Sequence, residues 1–163
     1  MIDALTGLPS LSGLSSALDE TMAAVLLDID GLRFVNHERG HVAGDDVLRR
    51  LGAWLSREAE LLHGQVFRVA GDKFLLLLLL PGRAIDEAAT IANKTVAICP
   101  SLHEITLSAV VFLADPQFPG RLRTAIDQLT EELYRSELAS GRTHSNVVIS
   151  GAPRAQDAHP FRR

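Results

Sequence analysis

Six consecutive leucines, Leu75–Leu80, follow the octet Phe67-Arg68-Val69-Ala70-Gly71-Asp72-Lys73-Phe74. A leucine run with no polar alternation suits a strand covered on both faces. Gly beside Asp is turn chemistry, because Gly admits positive φ and Asp bonds its own backbone. The stretch therefore predicts a β-hairpin with strands near Gln65–Val69 and Phe74–Leu80. The leucine strand belongs in the middle of a sheet, and the turn sets Asp72 and Lys73 at the sheet's end.

The rest of the chain supplies that sheet and its cover. Ser10 is placed to cap a helix reaching about Glu20, with Leu11, Leu14 and Leu18 on one face. Ala23–Asp28 is a buried strand ending in acid, and Ile29, Asp30 and Gly31 form a turn. Leu32–Arg39 is a short helix closed by Gly40 as its C′ glycine. Val42–Glu60 carries a helical stripe of Val47, Leu48, Leu51, Trp54 and Leu55, and Gly64 ends it. After the hairpin come a helix over Asp86–Ala97, a strand over Ile105–Leu113, a helix over Leu122–Ala139 and a strand over Asn146–Ser150. This order gives an α+β fold. Its central, mostly antiparallel sheet has about five strands, with helices packed on it and a βαββαβ ferredoxin-like core embedded. Residues 1–150 form the domain, and 151–163, poor in apolar residues, read as a tail or linker.

Composition narrows the functional classes. The formal net charge of −4 argues against nucleic acid or an anionic membrane surface as partner. The longest apolar run, the six leucines with Phe74 before them, is too short to span a bilayer. Met1-Ile2-Asp3 lacks the basic start of a signal peptide, so a cytoplasmic location is expected. The single cysteine, Cys99, excludes an internal disulfide and reads as a small core residue.

Four blocks in order then carry a resemblance. They are Asp3-Ala-Leu-Thr-Gly-Leu-Pro9; Asp28-Ile29-Asp30-Gly31-Leu32-Arg33-Phe34-Val35-Asn36; Gly40-His41-Val42-Ala43-Gly44-Asp45; and Arg68-Val69-Ala70-Gly71-Asp72-Lys73-Phe74. Any one is weak, but the ordered set is specific. Together they resemble the GGDEF domain, the catalytic domain of diguanylate cyclases, with its nucleotidyl-cyclase-like fold. The resemblance implies a site for GTP with divalent cations, two such domains joining two GTP molecules into cyclic di-GMP.

Residue by residue, the resemblance makes Asp28 a metal ligand, with the Ile29 carbonyl as a backbone ligand. The bland alternative is an Asp that caps the following turn. Asn36 and Asp45 resemble the pair that reads guanine: an amide faces O6 and N7, and a carboxylate accepts from N1–H and N2–H. The bland alternative has Asn36 closing one helix and Asp45 capping the next. Arg33 stands where the family carries a phosphate-binding Lys, a mild change of cation, or is a solvated helix charge. Asp72 resembles the catalytic carboxylate near the attacking hydroxyl. Arg142 follows Gly141 near the place of a phosphate-contacting Arg.

The pattern also breaks. Ala70 replaces the first motif glycine and adds one methyl. Lys73 replaces the glutamate that ligates the metals. Lys offers no acceptor, and the exchange swings the local charge by two units. Glu137 falls where the family has a phosphate-binding Lys, and Arg135 is the nearest substitute cation. Leu61-Leu62-His63-Gly64 replaces the R-x-x-D of product-inhibited members. Lys73 has two readings: an ammonium seated between Asp28 and Asp72 in place of a metal, or an exposed lysine on a hairpin tip.

The expectation is a degenerate GGDEF domain of cyclic di-GMP-type signalling, catalytically inactive. It would serve as a GTP-binding or protein-interaction module, with a protein partner or homodimer. No cofactor is certain, and Mg2+ accompanies GTP if GTP is bound. A weak but active cyclase and a purely structural or dimerising domain are the alternatives.

Overall fold

The computed structural model describes residues 1–10, 23–78, 90, 93–94, 106–113, 127, 130–131, 135 and 147–150. The expected helix beyond Ser10, most of the helices over 86–97 and 122–139, Glu137, Arg142 and the tail 151–163 lie outside them. The described elements run β1 (Ala23–Asp30), α1 (Leu32–Arg39), α2 (His41–Leu61), β2 (Gln65–Ala70), β3 (Lys73–Leu78), β4 (Thr106–Leu113) and β5 (Val147–Ser150).

The strands form one sheet in the order β2-β3-β1-β4-β5. β2–β3, β3–β1 and β1–β4 pair antiparallel, and β5 lies parallel to β4. The first four strands have the order expected of a ferredoxin-like core, so the α+β expectation holds. β3 sits between β2 and β1, and Phe74–Leu78 are all buried. Alternate side chains leave opposite faces of a strand. Phe74, Leu76 and Leu78 join Val25 and Leu27 of β1 and Val47, Leu51 and Leu55 of α2 in one core. Leu75 and Leu77, no less buried, fill the other face.

Three local expectations change. β1 continues through Ile29 to Asp30, each paired with β4, so only Gly31 turns. Two acids near a strand's end do not stop it while a neighbour supplies a ladder. Gly40 has φ 81 and ψ 162, a region open essentially to glycine alone. It is therefore not a left-handed C′ residue but a one-residue corner between α1 and α2. Gly71 is not among the positive-φ residues, so the hairpin does not use its freedom there. A register shift between Arg68 and Ala70 supplies the bend instead.

The end of α2 is also particular. His63 N–H donates to the Glu60 carbonyl at 3.3 Å, and Gly64 N–H to the Ala59 carbonyl at 2.8 Å. These are the paired bonds of a Schellman ending. His63, at φ 52, takes the left-handed place, and Gly64 follows it.

Candidate functional site

The site collects where β1, the α1–α2 corner and the β2–β3 tip meet. Asp28 lies inside β1, opposite Lys73 on one side and Ser108 on the other. Its position within the strand, with the chain paired for two more residues, removes the turn-capping alternative. Asp28 is buried, the one charged residue among the described buried set. The Lys73 ammonium forms an ion pair with Asp28 Oδ2 and lies 3.5 Å from Asp72 Oδ1. Lys73 is mostly covered, at 22% side-chain exposure, while Asp72 is 43% exposed. The Ile29 N–H donates to the Asp72 carbonyl at 3.1 Å, which fastens the tip to β1. Lys73 is thus not a solvated tip residue: its ammonium sits between two carboxylates.

That arrangement bears on the divalent cations the fold family implies. A metal at Asp28 would meet a carboxylate already paired with an ammonium, and Lys73 brings a positive charge with no lone pair to offer. Among the described residues no group of three or more His, Cys, Asp or Glu side chains could hold a metal ion. The residues present do not fit a divalent pair.

Asn36 meets α2 at a glycine, Gly44. Asn36 lies in the interior of α1, which runs on to Arg39, so it does not close that helix. α2 begins at His41, so Asp45 is its fifth residue and does not cap it. A Cβ on Gly44 would overlap the Asn36 carboxamide, and Gly44 is buried. The missing side chain lets the amide of α1 lie against α2 one residue before Asp45. Asp45 is 44% exposed and 3.9 Å from Arg49, a loose ion pair along the helix. Arg33 is exposed in the first turn of α1. Arg135 turns to Glu131 at 2.5 Å and is 70% exposed, so it is not an inward substitute cation.

One residue escaped assignment from sequence. Arg68 donates through Nη1 to Asp3 Oδ1 at 2.8 Å and through Nη2 to the Gly71 carbonyl at 2.7 Å. Its own N–H donates to the Pro9 carbonyl at 3.0 Å. One guanidinium thereby ties the opening segment to the hairpin tip. The signal was available: Asp3 and Arg68 each stand in a recognised block, though 65 residues apart. Asp3 also accepts from the Thr6 N–H at 2.9 Å and the Thr6 hydroxyl at 2.7 Å.

Burial raises the Asp3 carboxyl, but the hydrogen bonds from Arg68 and Thr6 and the Arg68 charge outweigh it, holding the group at about 2 against an ordinary 3.8. A depressed folded value means stability present above pH 3.8 and lost as pH falls toward 2. Asp3→Asn is expected to flatten the acid limb of the stability profile in that window. Discounted for solvent screening, the loss is about 1 kcal/mol at neutral pH, read from urea midpoints.

The family described as diguanylate cyclase, GGDEF domain, matches residues 1–141. An uncharacterized protein in the hutH 5′ region of Streptomyces griseus is 29% identical over 99% of this chain and 74% of its own length. The diguanylate cyclase DgcP of Pseudomonas aeruginosa is 29% identical over 91% of this chain, which spans only 24% of that protein. In fold, the chain is similar to the coiled coil and GGDEF domain of DgcB from Caulobacter crescentus, solved in complex with c-di-GMP. The TM-score is 0.74 at 22% identity, covering 91% of this chain and 85% of that one. With four ordered motif blocks, the ferredoxin-like strand order and a match over most of its length, the chain belongs to the GGDEF domain family of cyclic di-GMP signalling proteins.

Proposed function

We propose that this chain is a degenerate GGDEF domain that makes no cyclic di-GMP and serves as a regulatory module, retaining a guanine-reading pocket at Asn36 and Asp45. The observation that carries this reading is the Lys73 ammonium paired with Asp28 and 3.5 Å from Asp72. Metal-assisted phosphoryl transfer depends on cations that offset the charge of phosphates and of the attacking oxygen. A fixed ammonium already neutralises Asp28, so no carboxylate pair is left to assemble them. Asp72, half-exposed and facing Lys73, keeps the place of the catalytic carboxylate without the metals it would act beside. The position of Asn36 against Gly44, with neither Asn36 nor Asp45 serving as a helix cap, supports a retained base pocket.

Incubation with GTP and Mg2+ or Mn2+ is expected to yield no cyclic di-GMP by chromatography. Robust product from the wild-type protein contradicts the reading and restores the active-cyclase alternative. Lys73→Glu combined with Glu137→Lys is expected to regain metal-dependent GTP binding. A silent double variant means that the loss has a further cause.

A further inference from the structure

Two consecutive carbonyls at the hairpin tip are held by different parts of the molecule. The Asp72 carbonyl accepts from the Ile29 N–H of β1 at 3.1 Å. The Gly71 carbonyl accepts from the Arg68 guanidinium, through Nη2 at 2.7 Å and Nε at 3.3 Å. The β2–β3 ladder alone does not set this stretch, because its register shifts between Arg68 and Ala70. The same guanidinium gives Nη1 to Asp3 Oδ1 at 2.8 Å, and the contact is sheltered, with side-chain exposures of 13% for Arg68 and 26% for Asp3. A guanidinium is a rigid planar fork, so an acceptor on one tine sets the direction of the others. Asp3 therefore aims Arg68 at Gly71.

The segment that carries Asp3 closes on itself. The Asp3 N–H donates to the Leu8 carbonyl at 2.8 Å, the Gly7 N–H to the Asp3 carbonyl at 2.9 Å and the Ser10 N–H to the Met1 carbonyl at 2.8 Å. Residues 1–10 thus form one loop, and it reaches the tip by an apolar route as well. A Cβ on Gly52 of α2 would stand 3.3 Å from Leu8 Cδ1, 3.4 Å from Thr6 Cβ and 3.6 Å from Phe74 Cε1. Leu8 of the loop and Phe74, the residue after Lys73, border the same small space.

We propose that Arg68 is a positioning residue through which residues 1–10 hold the Lys73 ion pair closed, and that withdrawing this loop from β2 opens it. This rests on the Lys73–Asp28 pairing that carries the reading above. Without Asp3 in place the guanidinium loses its charged acceptor, and the Gly71 carbonyl loses its aimed donor. Of the two carbonyl bonds at the tip, only that from Ile29 remains. Lys73, two residues on from Gly71, then parts from Asp28 more often. The loop is in this way a lever by which a signal reaches the degenerate site without any nucleotide.

The sequence holds two lysines, Lys73 and Lys94, so amine labelling reads the tip against one internal reference. Lys94 is 61% exposed. A brief pulse of acetic anhydride on the full chain, followed by peptide mass spectrometry, is expected to modify Lys94 quickly and Lys73 slowly. Arg68→Met and Asp3→Ala are each expected to speed Lys73 labelling relative to Lys94 by about fivefold or more, the low end of ordinary coupling between sites. Asp3→Ala decides the matter if Arg68→Met does not fold. Gly64→Ala, which loosens the fold away from the tip, is expected to leave the ratio within about twofold, because local opening is independent of it. Equal acceleration in Gly64→Ala means that Lys73 is reached by general unfolding, and overturns the role of Arg68. A protected Lys73 that stays protected in the folded Asp3 and Arg68 variants overturns the coupling and leaves the ion pair standing. Lys73 labelled as fast as Lys94 in the wild-type chain overturns the ion-pair reading and the inference with it.

Discussion

Lys73→Met is expected to destabilise the domain by about 3 kcal/mol. The exchange keeps an unbranched side chain out to Cε, with sulfur for Cδ, and removes the ammonium. Asp28 is buried, with a side chain only 7% exposed, so its charge loses its cation in a place that water reaches poorly. Breaking one member of a buried pair costs far more than the pair itself contributes, because the remaining charge stays desolvated. Asp28→Asn is expected to cost less, about 1 kcal/mol, since Lys73 is partly wet and keeps Asp72. The double variant Lys73→Met/Asp28→Leu is expected to recover most of the loss, as apolar replacement of a buried pair often does. Urea midpoints at constant slope check all three. A lysine solvated on a hairpin tip would instead give less than about 0.5 kcal/mol for Lys73→Met.

Gly64→Ala is expected to cost about 2–3 kcal/mol, through the backbone and without touching the site. A Cβ at Gly64 would stand 2.6 Å from the Leu77 carbonyl oxygen and 2.8 Å from Leu78 Cδ2. The first is a backbone atom of β3, which cannot rotate away. Either the sheet shifts or the Schellman ending of α2 opens, and both disturb the α2–β2 connection that packs beside β3. His63→Gly, one residue earlier, is expected to act in the opposite sense. His63 sits at φ 52, where an L side chain costs roughly 1 kcal/mol that glycine avoids. Thermal melts of the two variants should move in opposite directions. A neutral Gly64→Ala would mean that α2 meets β3 less closely than described.

Much of this architecture could be read from residue order. The leucine run required a strand with two covered faces, and β3 has them. The stripe Val47, Leu48, Leu51, Trp54 and Leu55 marked α2; Trp54 is half-buried and the other four are buried. What could not be read was conformation at single residues. Gly40 reads as a left-handed C′ glycine, Gly71 as a turn glycine, and His63 as an ordinary residue. Yet Gly40 takes a corner conformation, Gly71 takes none that requires glycine, and the left-handed position fell to a histidine. Turn chemistry states what a residue permits, and the neighbouring bulge or helix end decides what is used. In the same way, β1 ran past its acids because β4 offered a partner strand through Asp30.

The site was legible in its parts and less so in its connections. Asp28 and Lys73 are 45 residues apart; their pairing is one of two readings drawn from their motif positions, the other being an exposed tip lysine, and they meet. Arg68 and Asp3 were equally charged and equally marked by motif, but nothing local predicted that the opening segment would lie alongside β2. Asn36 and Asp45 were each given a capping alternative, because helix ends in sequence are uncertain by a residue or more. The observed helix boundaries remove that alternative for both.

The central claim is that an ammonium stands in the place of a metal ligand's counter-ion. Its most direct test is Mn2+ binding, followed by electron paramagnetic resonance of the free ion, for wild type and for Lys73→Glu without nucleotide. The wild-type chain is predicted to leave the free-ion signal unchanged and to melt at the same temperature with or without chelator. Lys73→Glu is predicted to melt lower in chelator, to deplete the Mn2+ signal saturably and to regain stability as it does so. Saturable Mn2+ binding by the wild-type chain, undiminished relative to Lys73→Glu, would contradict the account.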